Sequence, residues 1–405
     1  MDALPGRNGV WRRGSCWLVA LVSGLLLVVG CTGTASDSRP TPEASSPADT
    51  IARDYWPTTG WRTAKPEDHG INPAQLAMVE DLLSTGYPHV RSVLVVRHGY
   101  LVYEQYRHGL DRTSGHDVRS ITKSVVGALV GVALAEGKIT SVEQTVGELL
   151  PAHLPESADS RFANVTVRQL LTMTSGLPGD DESMGGDPRA YDATWASSDW
   201  VRHILGQRLV TEPGTRFAYN DATAHLLSAI VANASGESTL AYARDKLFDP
   251  LGIRTQNAFE PVLDQSIVSG THEAYERSSV AWPTDPQGVH FGGSSLRLPA
   301  RDLAKFGYLY LNGGRWDGQQ VVPADYVAAA TSAKGSSPNV SAGYGWLWWV
   351  GSEGGRTFVA QGRGGQLIYV VPESDLVIVV TSDPEAGGPD PKILINQIIV
   401  PAVTR

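Results

Sequence analysis

The 405-residue sequence predicts a mixed α/β fold of the α+β kind: an antiparallel sheet built from N- and C-terminal segments, flanked by helices, with a mainly helical lobe inserted between its halves. Three observations predict it. Residues 90–106 hold two β-rich runs around His98-Gly99, a hairpin signal. Gln366–Val371 and residues 376–381 repeat the pattern near the other end, joined by Pro372-Glu373-Ser374-Asp375. Between these hairpins, apolar residues recur at spacings drawn from i, i+3, i+4 and i+7.

Composition narrows the function classes. Lys plus Arg number 33 against 42 Asp plus Glu, a formal net charge of −9, and 42% of positions are hydrophobic. That apolar content is too high for a disordered chain. An acidic balance argues against nucleic acid as a partner, because phosphate binding needs a basic face. Two cysteines cannot supply a disulfide framework or a four-thiolate zinc site.

The first element is a targeting segment. Arg7, Arg12 and Arg13 precede an uncharged apolar run over residues 17–30, too short for a comfortable bilayer span but suited to a signal-peptide core. The run ends Val28-Val29-Gly30-Cys31, which resembles a bacterial lipobox. Residues 1–30 are therefore expected to be cleaved and Cys31 to be lipidated, anchoring the protein outside the cytoplasmic membrane; a transmembrane anchor or an ordinary secretory signal is the competing reading. Multiple acyl chains hold a protein on a bilayer durably. With Cys16 in the signal and Cys31 lipidated, no thiol remains for nucleophilic or redox chemistry. Residues 31–55, rich in Ser, Thr, Pro and Ala, read as a flexible tether. Residues 56–405 are the expected folded domain, with the helical lobe at about 140–290.

After the first hairpin, residues 118–136 are apolar almost all round and stop at Gly137, as expected of a buried helix. Helical spacing recurs over 165–173, 198–209, 222–234, 240–247 and 300–311. The Pro/Gly/Asp-rich stretch 282–293 reads as a loop returning to the sheet. After the last hairpin, residues 392–400 again have helical spacing.

Several catalytic signatures are missing: no Gly-x-Ser-x-Gly, His-Glu-x-x-His, phosphate-binding loop or EF-hand occurs. What remains is Ser120-Ile121-Thr122-Lys123 at the start of the buried helix. The i, i+3 spacing puts Ser120 and Lys123 on one face of its first turn. Burial disfavours an ammonium ion, so Lys123 is expected to have a lowered pKa and to take the Ser120 proton. The competing reading is an N-cap Ser with a surface Lys. A second element, Tyr219-Asn220-Asp221, opens another helix; Tyr219 near Lys123 could relay a proton, or simply pack beside an N-cap. A third, Ala360-Gln361-Gly362-Arg363-Gly364-Gly365, brings small residues and backbone N–H groups to a strand end, or forms a tight turn.

Together these elements resemble the serine β-lactamase and penicillin-binding-protein superfamily, in its class C-like branch, and within it the 6-aminohexanoate-dimer hydrolase type. Ser120 to Lys123 matches Ser-x-x-Lys, Tyr219-Asn220-Asp221 stands for Tyr-x-Asn, and stretches such as Leu170-Leu171-Thr172-Met173-Thr174-Ser175-Gly176-Leu177 look like the family's connecting segments. The resemblance implies a β-lactamase/transpeptidase-like fold and a cofactor-free, metal-free serine hydrolase acting on a small ester or amide. It makes Ser120 the nucleophile and Lys123 and Tyr219 the proton carriers. The backbone N–H groups of Ser120 and Arg363 become the oxyanion site, with Gly362, Asn220 and Asp221 on the substrate. Two positions depart from the family pattern. Ala360 stands where a Lys or His is expected, and Asp221 where Asn is; both weaken the case for β-lactam or D-Ala-D-Ala chemistry. Arg363 could replace the missing cation or be an exposed turn residue. His116 and Asp117 are too close in sequence to Ser120 to form a triad with it. Asp180, Asp181 and Glu182, in the loop after Gly179, could line the mouth of a pocket but read better as a solvated charge run. The alternatives are a penicillin-recognising β-lactamase or carboxypeptidase and a catalytically silent cell-wall binding protein.

Overall fold

The computed structural model describes residues 53–263, 273–336, 343–351 and 357–404. The expected signal, Cys31 and the tether up to residue 52 lie outside the described residues. Among the described residues, no helix is long and apolar enough to cross a membrane.

The first hairpin joins β1 (Val90–Arg97) to β2 (Tyr100–Tyr106) through His98 and Gly99, whose φ angles of 51° and 84° are both left-handed. A two-residue hairpin loop of this kind needs positive φ at both positions. A short β3 (Gly115–Asp117) follows, and its partner β4 (Arg297–Pro299) arrives only after the helical segment. β5 (Arg315–Trp316) and β6 (Gln319–Gln320) make a separate small hairpin. The remaining strands are β7 (Gly335–Ser336), β8 (Gly343–Tyr344), β9 (Trp349–Gly351), β10 (Thr357–Gly362), β11 (Gln366–Val371) and β12 (Leu376–Ser382).

The main sheet has eight strands in the order β2-β1-β12-β11-β10-β9-β8-β7, so the first hairpin docks on the last. β1 and β12 run antiparallel with Val93 opposite Val380 and Val95 opposite Ile378. Both faces are buried. Val93, Val95 and Ile378 face α1 (Pro73–Thr85) and the C-terminal helix Pro391–Leu394; Leu94, Val96 and Val379 face the larger core. Two covered faces explain why these strands read as continuous apolar runs without alternation. On the larger core side, helix Ala300–Leu311 lies so close that a Cβ on Gly307 would sit 2.6 Å from Ile368 and 2.7 Å from Val377.

The segment between β3 and β4 is mainly helical: α2 (Ile121–Ala135), α3 (Val146–Leu149), α4 (Val167–Leu171), α5 (Asp192–Trp195), α6 (Trp200–Leu205), α7 (Asp221–Ser235) and α8 (Thr239–Ala243). α2 is buried on every side from Ile121 to Ala133. α4 is shorter than its apolar spacing suggests. Thr166 and Gln169 form a capping box at its start, and Met173, at φ 55°, turns the chain away just past its end.

Candidate active site

Ser120 stands at a junction of strand, tight turn and helix. Asp117, the last residue of β3, accepts a hydrogen bond from the Arg119 N–H at 2.9 Å and stabilises a turn in which Arg119 has φ 49°. Left-handed φ is unfavourable for a residue with a Cβ, so this turn is held by its surroundings. Ser120 is the N-cap residue of α2, yet its side chain caps nothing. Its hydroxyl is instead bonded to Lys123.

Lys123 is only 1% exposed. Its ammonium donates to Ser120 Oγ at 2.9 Å, to the Gly293 carbonyl at 2.7 Å and to Asp221 Oδ1. An ammonium has three protons, and here each has an acceptor. The expectation of a lowered pKa is corrected: burial pulls it down, but the charge on Asp221, helped by Tyr219 and Asp180, outweighs burial and leaves it above its ordinary value. Lys123 rests as an ion.

Tyr219, 8% exposed, lays its ring 4.6 Å from Lys123 Nζ and stacks on Trp349 with centroids 5.8 Å apart. Burial pushes its phenol up; the Lys123 charge beside it pulls it down without cancelling the rise. Tyr219 therefore rests as a neutral phenol. Of the tryptophans at 346–349, Trp348 is core and Trp349 is this stacking partner.

Asn220 and Asp221 do not act as a pair. Asn220 is wholly buried: its Oδ1 accepts the Thr223 N–H at 2.7 Å and its Nδ2 donates to the Ala218 carbonyl at 2.8 Å. With its Oδ1 capping α7, its Nδ2 tied to the preceding loop and no surface exposed, it is held away from a substrate, which corrects its assignment as a binding residue. Asp221, the first residue of α7, turns instead to Lys123. The charge-run reading of Asp180 is likewise corrected. Its Oδ2 accepts the Asp221 N–H at 2.7 Å, and its carboxyl is raised to about 7, first by burial and then by the Asp221 charge. Asp181 caps the short turn Glu182–Met184.

The strand end lies against the nucleophile turn. A Cβ on Gly362 would meet the Val118 carbonyl at 2.4 Å and Arg119 Cβ at 2.9 Å, so only glycine fits there. Arg363 follows with an exposed side chain. Among the described residues, neither the Ser120 nor the Arg363 N–H is engaged in a hydrogen bond outside regular secondary structure. Ala360 is buried and supplies no charge.

A cavity of about 250 Å³ adjoins Tyr219 and is lined by Leu177, Met184 and Phe217, with Asp181 and Arg216. A larger one, about 700 Å³, is lined by Trp61, Arg301 and Lys305 and holds none of the groups above; Ser120 and Lys123 line neither cavity. His116 is buried with neither ring nitrogen hydrogen-bonded, and burial lowers its pKa to about 3. It makes no bond to Ser120. Among the described residues, no group of three or more His, Cys, Asp or Glu could hold a metal ion. Sequence reasoning did not single out Gly293, for which the double glycine before Ser294-Ser295 was the available signal. It named Asp180 but favoured a solvated charge, because nothing local shows that the carboxyl is held against Asp221.

The profile of the family described as Beta-lactamase matches residues 88–398. The 6-aminohexanoate-dimer hydrolase of Paenarthrobacter ureafaciens is 26% identical over 349 residues, covering 79% of this chain and 80% of that one. Protein flp of Staphylococcus aureus (strain MW2) is 26% identical over 186 residues, but the match spans only 36% of its length. Among solved structures, a Bacillus anthracis chain provisionally described as a 6-aminohexanoate-dimer hydrolase superposes with a TM-score of 0.65 at 20% identity, covering 88% of each chain. A family VIII carboxylesterase gives 0.61 at 18% identity, covering 84% of this chain and 98% of that one. These two show a shared β-lactamase/transpeptidase-like fold.

Proposed function

The chain belongs to the beta-lactamase family, whose members include serine hydrolases, and from that premise we propose that it cleaves a linear ester or amide through an acyl-enzyme on Ser120. The observation that carries this reading is the buried Lys123 ammonium, 2.9 Å from Ser120 Oγ and under the Tyr219 ring. Ser120 attacks the carbonyl carbon. Its proton travels by Lys123 and Tyr219 to the departing alcohol or amine, and the Ser120 and Arg363 N–H groups hold the oxygen that becomes negative. Water then releases the acid and frees Ser120. The absence of a cation at Ala360 disfavours a carboxylate-bearing β-lactam. Similarity to a 6-aminohexanoate-dimer hydrolase and the likeness to a carboxylesterase fold favour acyclic substrates.

The test is a p-nitrophenyl ester chain-length series beside a linear amide dimer and nitrocefin. Fluorophosphonate labelling should vanish in Ser120→Ala; persistent labelling removes Ser120 as nucleophile, and fast nitrocefin turnover moves the protein to the penicillin-recognising group. We also infer an anchor at Cys31, supported by the Val28-Val29-Gly30-Cys31 ending of the apolar run. Cys31→Ser should move the protein from the membrane to the soluble fraction. An unchanged distribution counts against lipidation.

A further inference from the structure

If Ser120 is the nucleophile, as proposed above, Lys123 cannot simply receive its proton, because all three ammonium protons are in place and bonded. One must leave first. Of its three acceptors, Ser120 Oγ is the group being deprotonated, and the Gly293 carbonyl is an amide oxygen that does not hold a proton in water. Tyr219, above the ammonium, already carries its own proton. Asp221 Oδ1 is the one remaining base in contact with Nζ.

We propose that Asp221 is the proton acceptor behind Lys123, and that Asp180 is a positioning residue that holds Asp221 where it can act. As Ser120 Oγ bonds to the substrate carbonyl carbon, its proton moves to Lys123 Nζ and one Nζ proton moves to Asp221 Oδ1. Lys123 stays an ammonium and Asp221 becomes a carboxylic acid. When the tetrahedral intermediate collapses, Tyr219 gives its phenol proton to the leaving group and takes one from Lys123, which recovers one from Asp221. No proton is left over.

Asp221 is fixed on two sides. Its N–H is bound by Asp180, and Gly293 presses on its side chain so closely that a Cβ there would lie 2.6 Å from Asp221 Cβ and 2.7 Å from Cγ. The charged and titratable neighbours of Asp180 are Asp221, Lys123, Asp181 and Tyr191. Below about pH 7 Asp180 is neutral. Above it, the added negative charge beside Asp221 favours movement of a proton from Lys123 toward this end of the relay, so acylation should step upward there.

The experiment measures pre-steady-state acylation by p-nitrophenyl acetate and the rate of fluorophosphonate labelling across pH, with thermal melting as a check on folding. Asp221→Asn should lower the acylation rate about 100-fold at pH 7 with little change in KM. Asp180→Asn should erase the step near pH 7 and lower kcat, and Asp180→Glu should restore the step. In wild type, the solvent-isotope proton inventory of acylation should be curved, because two protons move together; this reading does not depend on any variant folding. A linear inventory, or Asp221→Asn acylating as fast as wild type at pH 7, overturns the relay. An Asp180→Asn profile that overlays wild type overturns the positioning role. Labelling that persists in Ser120→Ala would instead reject the nucleophile, so the two failures are told apart.

Discussion

Asp180 is held in the native state with its carboxyl raised to about 7 from an ordinary 3.8, by burial first and the Asp221 charge second. Between those values the native state keeps a proton that the unfolded chain releases, so this group's contribution to stability falls as pH climbs from about 4 to 7. Asparagine cannot ionise. Asp180→Asn should therefore melt higher than wild type at pH 8 and show a smaller difference at pH 5; an equal gap at both pH values would show that the carboxyl is not raised. A site residue that weakens the fold at working pH is the usual exchange of stability for function. At this scale, Ser120 and Lys123 were legible because helical spacing alone places them together. Their electrostatics were not. Asp221 and Gly293 meet Lys123 from 98 and 170 positions away, and Asp180 meets Asp221 across 41, so no local pattern shows that the buried ammonium is paired.

Among the elements, α7 shows how one short motif divides its work. Asn220 caps the helix with its Oδ1 and ties back the preceding loop with its Nδ2, while the next residue faces Lys123. Asn220→Ala should cost about 1 kcal/mol of stability through the lost cap, read as a lower melting temperature. Its kcat/KM should fall far less than in Asp221→Asn; a loss as large as that of Asp221→Asn would return Asn220 to the substrate. The all-round apolar pattern announced α2 as a buried helix, and the hairpins were marked by His98-Gly99 and by Pro372-Glu373-Ser374-Asp375. α4 was overestimated because a capping box and the left-handed Met173 override the apolar spacing on either side of it. What identified Gly362 was position before a strand; its reason, contact with the turn before Ser120, exists only in three dimensions.

At the scale of the whole molecule, the sheet drawn from both chain ends was legible from where the β-rich runs sit. The start of its packing was less so. Arg53 makes paired hydrogen bonds of 2.6 and 2.7 Å to Asp375 in the last hairpin turn and a third to Asn312, with side chains 6% and 5% exposed in the ion pair. Arg53→Ala leaves a buried carboxylate without its partner and should cost about 3–5 kcal/mol. Denaturant unfolding measures this, and a change under 1 kcal/mol would show that water reaches Asp375. The pairing of β1 with β12 has its own consequence. Ser92 and Thr381 bond side chain to side chain across 289 positions of sequence. While the chain is being made, β1 exposes an unpaired edge until β12 has emerged. Native pairing must wait for β12, and such long-range closure is slow. Until then the growing polypeptide presents a sticky strand to its neighbours, so its yield in a cell should depend on chaperones that shield the first hairpin as much as on the stability of the finished fold.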